Sequence, residues 1–162
     1  MKKLLALFTL VILFCSCNAQ IYRIQKAQAF FTASMPGMAM QDENGNTINP
    51  EPIIERFIYI ECRFNGKPKI DSVFYNGILF TATVADKAET SINIGIKKES
   101  GVTIKLVPKK GNKIWKIDLQ QTSGVTLQHA LLKKIILKGR LDEIKFAIAI
   151  YSETQLSTPD RP

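Results

Sequence analysis

The chain has 162 residues, with 22 Lys and Arg against 14 Asp and Glu, one His, three Cys and a formal charge of +8. That length suits one domain with a core that needs no disulfide staples, and a single histidine leaves too few ligands for a histidine-based metal hydrolase. There is no G-x-S-x-G elbow, P-loop or dinucleotide fingerprint, so a non-catalytic protein is expected.

The first element reads as an export signal. Lys2-Lys3 leads into an apolar run over residues 4–14, broken only by Thr9, and then into small and polar residues. This is the order of a secretory signal peptide. The run is too short for a membrane-spanning helix, which needs about 20 residues. Cys17-Asn18-Ala19 offers cleavage after Ala19, with Gln20 as the new first residue. Phe14-Cys15-Ser16-Cys17 offers the alternative, a loose lipobox in which Cys17 is acylated. The segment resembles the signal segments of exported proteins of the Bacteroidota. That resemblance implies a periplasmic or outer-membrane-associated protein and carries no function.

Past the signal, turn signals recur: Asn44-Gly45, Asn65-Gly66, Asn76-Gly77, Ser100-Gly101, Gly111-Asn112 and Ser123-Gly124. Asn-Gly supplies the positive φ angles of two-residue hairpins. Between the turns lie runs rich in Ile, Val, Phe, Tyr and Thr. They predict strands over 24–34, 53–64, 68–75, 78–85, 90–97, 102–108, 113–120, 132–139 and 144–152. Ile92, Ile94 and Ile96, then Val102, Ile104 and Leu106, then Trp115, Ile117 and Leu119 alternate with polar residues, so each set shares one sheet face. Thr126 opens a short helical turn over 126–131. Ile144, Phe146, Ile148 and Ile150 make the strongest strand, expected at the centre. The expected fold is all-β, a single antiparallel Ig-like sandwich, with a partly closed barrel as the alternative. The expected division is a signal peptide over 1–19, the sandwich over 20–153 and a polar flexible tail over 154–162.

Residues 35–52 form the longest irregular stretch, a length that suggests binding or disorder. Met35, Met38 and Met40 fall within six residues of it. Thioether sulfur is a soft donor suited to Cu(I), so these methionines are the candidate metal ligands. The stretch resembles methionine-rich loops of exported copper-handling β-sandwich proteins, but it lacks their histidines, since His129 lies far away in sequence. The competing readings are a loop packed by methionines and an adaptable methionine-lined partner surface. Asp42-Glu43-Asn44-Gly45-Asn46 lacks the frame of a calcium loop and reads as a turn.

Two further features bear on function. Phe57 and Tyr59 share a face with Glu61 and Arg63, opposite Ile58, Ile60 and Cys62. Phe57, Tyr59 and Arg63 are therefore the candidate binding surface, with Phe74, Tyr75 and Trp115 as further candidates for a sugar-stacking platform. Cys62, the one cysteine outside the signal region, reads as a buried small hydrophobe. Lys97-Lys98, Lys109-Lys110 and Lys113 form a loose basic patch at hairpin tips. Solvated strand ends are the plain account of it, and anionic lipid or polysaccharide is the functional one.

The expected protein is an exported cell-envelope binding or interaction module without catalysis or cofactor. Its partner would be an envelope protein or a glycan, not nucleic acid, and it would meet the membrane only through a lipid on Cys17. The alternatives are a periplasmic Cu(I)-binding protein and a carbohydrate-binding β-sandwich.

Overall fold

Asn76-Gly77 joins two strands with nothing between Tyr75 and Ile78 but itself, at φ 49° and 88° in the computed structural model. Those are the two positive angles of a type I′ turn, whose twist matches that of the flanking strands. Asp142-Glu143 makes the second two-residue hairpin, between Leu141 and Ile144. The structure describes residues 24–35, 40–41, 43–44, 47–48, 52–63, 66–88, 90–121 and 133–158.

Among these there are twelve strands and no helix: β1 (Ile24–Ser34), β2 (Met40–Gln41), β3 (Thr47–Ile48), β4 (Ile53–Cys62), β5 (Lys69–Tyr75), β6 (Ile78–Ala88), β7 (Ile92–Ile96), β8 (Thr103–Leu106), β9 (Lys113–Gln121), β10 (Ile135–Leu141), β11 (Ile144–Ile150) and β12 (Glu153–Leu156). Eight form one sheet in the order β11-β10-β5-β6-β9-β4-β1-β12, and β2-β3 and β7-β8 are separate hairpins. Every pairing in the large sheet is antiparallel except β1 with β12, which is parallel.

The all-β expectation holds, but a division into two Ig-like antiparallel sheets is not seen among the described residues. Instead one mixed sheet curls on itself. Its two edge strands, β11 and β12, are joined by Tyr151-Ser152 alone. Three Cα steps reach at most about 11 Å, so the ends of the sheet order must stand side by side. Consistently, β11 contacts β1, and Tyr75 of β5 hydrogen-bonds Glu153 of β12 across the interior at 2.8 Å. This is nearer to a partly closed barrel, which the sequence also allowed, than to two facing sheets. Curling hides the edges that an open sheet would expose.

Register explains the core. Ala29 pairs with Ile58, Ile58 with Ile117, Ile117 with Val84, and on the far side Tyr75 pairs with Ile135 and Ile135 with Ile150. Partners across a ladder share a face, so these side chains all point inward. Ile58, Ile60, Ile117, Ile135, Leu137 and Val73 are fully buried there. Each contributes roughly 1.5–3 kcal/mol relative to exposure.

Three expectations are corrected. Strand β11 is at the edge of the sheet order rather than its centre, because alternation reports which face is buried and not how many neighbours a strand has. Ile144 is accordingly exposed. The tail expected from Thr154 onward instead begins with β12, whose Leu156 is 2 % exposed. The alternation of β7 is broken by a bulge between Asn93 and Gly95, which leaves Ile96 exposed. The helical turn expected over 126–131 lies outside the described residues.

Hairpin β7–β8 is a separate sheet tied to β12 by a single isolated bridge, Lys97 to Leu156, and by backbone hydrogen bonds. Lys98 N donates to Gln155 O at 3.0 Å and Ser157 N to Ile96 O at 2.8 Å.

Candidate functional site

Strand β4 turns Phe57, Tyr59 and Glu61 to the outer face, as alternation predicts. Strand β1 adds a third ring there: Phe30 pairs with Phe57 in the ladder and is 2 % exposed. Phe30 stacks on Phe57 with centroids 6.0 Å apart, and Tyr59 meets both edge-on, at 5.9 and 5.8 Å. These are the favoured arrangements of aromatic quadrupoles. The buried Phe30 thus braces two half-buried rings. Lys116 lies over Phe57 at 5.0 Å and pairs with Asp118 at 2.8 Å.

Beside Tyr59 lies a cleft of about 50 Å³ between β8 and the outer face of β1, β4 and β9. Lys26, Gln28, Tyr59, Glu61 and Lys105 supply its polar wall. Glu61 is buried, and its Oε1 accepts from the Lys109 amide at 2.8 Å and from Asn112 Nδ2. Asn112 is itself buried. An unpaired buried carboxylate would be costly, so this acid pins the 108–112 turn to the sheet. Lys109 and Lys110 ride on that turn, exposed. Arg63, exposed at the end of β4, reaches the same turn: its Nε lies 3.9 Å from where a Cβ on Gly111 would stand.

A second polar cluster lies inside the curled sheet. Arg56 shares the inward face of β4 with Ile58 and Ile60. Its Nε meets Glu153 Oε1 at 3.5 Å, and both side chains are nearly buried. The guanidinium also sits 4.7 Å over the Tyr75 ring, while Tyr75 donates to Glu153 Oε2. Burial raises the Glu153 carboxyl above its ordinary 4.5, against the opposing pull of the Tyr75 hydrogen bond and the Arg56 charge. Burial, aided by Glu153, pushes the Tyr75 phenol up to about 12. This cluster ties β4, β5 and β12 together. It was missed in the sequence, although a charge in step with Ile58 and Ile60 was the available signal.

The remaining candidates sort plainly. Tyr75 and Trp115 are buried and make no sugar platform, because inward positions of a curled sheet face the core. Phe74 is half-buried under Lys138, 5.6 Å away. Cys62 is fully buried, and burial pushes its thiol up to about 11. Met35 is exposed, the side chain of Met40 is not described, and Met38, His129 and Cys17 lie outside the described residues. Among the described residues no group of three or more His, Cys, Asp or Glu could hold a metal. A larger groove of about 290 Å³ opens where β5 and β6 part. Its one charged group, Asp71, is held by Arg140 at 3.0 Å. No protein-family model matches the chain, and no curated protein or solved structure matches it either.

Proposed function

We propose that this is an exported, non-catalytic binding module of the cell envelope that meets its partner through the outer face of β4, with Phe57, Tyr59 and Arg63 at the contact. The observation that carries the reading is the braced aromatic triad. Phe30 holds Phe57 and Tyr59 in fixed orientations while both remain half-exposed. Rigid aromatic surface costs little conformational entropy to bind with, which is why such side chains dominate contact energetics. The signal-like segment over 1–19 supports export, and either an envelope protein or a glycan fits the surface.

The test is a Tyr59→Glu variant in the host. Loss of a complex that the unaltered protein forms in the envelope fraction, with the far-UV circular dichroism unchanged, is the expected result. An unchanged complex would remove this face from the reading. The intact mass of the isolated protein sharpens it further: a chain starting at Gln20 means a soluble domain, and an acylated Cys17 means a lipoprotein.

A further inference from the structure

We propose that the cleft beside Tyr59 is a binding site for an acidic polysaccharide, one carboxylate of which seats between Lys26 and Lys105. The inference deepens the reading of the outer face as the binding surface and rests on it.

The charge distribution is the first argument. Lys26, Arg63, Lys105, Lys109 and Lys110 are exposed, and none has an ion pair among the described residues. They are not scattered. Lys26 and Lys105 line one cleft, Lys109 and Lys110 stand on the turn that Glu61 pins beside it, and Arg63 reaches that turn. The acid in the cleft wall is Glu61, and its Oε1 is already engaged by two donors. Elsewhere some cations are matched locally, as Lys97 by Glu99, Lys116 by Asp118 and Arg140 by Asp71, and others, such as Lys145, stand unpaired among the described residues but do not line this cleft. Glu61 faces Lys26 across the ladder and offsets one charge, but the exposed cations here outnumber that single acid, and a local excess of positive charge favours an anionic partner.

Size is the second argument. The cleft is about 50 Å³, well below the roughly 300 Å³ of a pocket that encloses a whole small ligand, so it receives one group of a larger molecule, here the carboxylate, rather than enclosing it. A ring carrying that carboxylate would rest at the mouth, against Tyr59 and Gln28, with its neighbours along the chain reaching the other cations. A recess between a hairpin and a sheet suits a polymer that can lower one group into it. A bilayer presents its headgroups in a plane and would meet the turn rather than the recess.

The probe is polygalacturonate, with its methyl-esterified form as the neutral match and phosphatidylglycerol vesicles as the competing surface. Calorimetric titration of the purified protein should show binding to polygalacturonate alone, weakening about tenfold from 50 to 200 mM salt as the charges are screened. Lys26→Glu with Lys105→Glu should lower affinity at least about tenfold, while Lys145→Glu, on β11, should leave it unchanged. Circular dichroism checks that each variant folds. Equal binding of the methyl ester, stronger binding of vesicles, or indifference to the Lys26/Lys105 pair would overturn the proposal. If polygalacturonate fails while Tyr59→Glu still dissolves the envelope complex, the acidic glycan is wrong and the binding face stands. If both fail, the face is wrong as well.

Discussion

Two buried carboxylates organise opposite sides of the sheet, and they do so by different means. Glu153 lies inside, paired with a cation and a phenol from strands far away in sequence. Glu61 lies outside, satisfied by neutral donors from one short turn. The inner acid fastens the last strand to the interior, so it serves closure of the fold. The outer acid fastens a turn that carries two free lysines, so it serves the shape of the surface. A buried charge with a charged partner couples two desolvation costs and is hard to break singly. A carboxylate held by amides can be removed with a more local loss.

The largest effect that would separate the two is expected from Arg56→Met. It strands the Glu153 carboxylate in the interior, and denaturant unfolding at neutral pH should show a loss of about 3 kcal/mol. Adding Glu153→Gln should restore part of that loss, since an emptied pair costs less than a broken one. A double variant as unstable as the sum of both singles would mean that the pair is not coupled.

Glu61→Ala should cost about 2 kcal/mol, from two orphaned donors. Its signature is local: the Lys109 amide should lose hydrogen-exchange protection while β10 keeps its own. Loss of protection across the whole sheet would make Glu61 a global element like Glu153. Tyr75→Phe should cost about 1.5 kcal/mol, the worth of one hydrogen bond to a charged group, and should raise the Glu153 carboxyl further because that bond holds it down.

The pH dependence has a definite sign. A folded carboxyl raised above its ordinary 4.5 binds its proton more tightly when folded. Its stabilising contribution is complete below that value and is lost as pH rises through the folded pKa. Arg56→Met should widen the window and make the variant recover on acidification, whereas Glu61→Ala should show no such recovery. Cys62 and Tyr75, raised to about 11 and about 12, act in the same direction at the alkaline end. Stability should therefore decline above about pH 9. The smallest expected effect is on Cys62 itself: iodoacetamide should leave it unlabelled in the native protein and modify it on unfolding.

Much of this was written locally. The alternation of Ile58, Ile60 and Cys62 against Phe57, Tyr59 and Glu61 assigned both faces of β4, and the structure keeps them. Asn76-Gly77 marked its hairpin, because turn chemistry depends on a few consecutive residues. Half of the candidate site was legible for the same reason, since Tyr59 and Phe57 stood out as aromatics on a polar face. Phe30 beneath them was not, because it comes from another strand whose register no local pattern reveals.

The sequence by itself determined that the chain is β-rich, which face of β4 and of β9 is apolar and that basic residues are in excess. These follow from backbone preferences and a side-chain period of two, which act over a few residues. Only the tertiary structure decided that the sheet is one and curled, that β11 lies at its edge, that β12 joins it in parallel, and that Arg56, Tyr75 and Glu153 meet. It also set Lys26 and Lys105 on one cleft and Lys109 and Lys110 on the turn that Glu61 pins beside it. Strand order and long-range charge contacts depend on how buried area and satisfied polar groups sum over the whole chain, and no short stretch of residues encodes that sum.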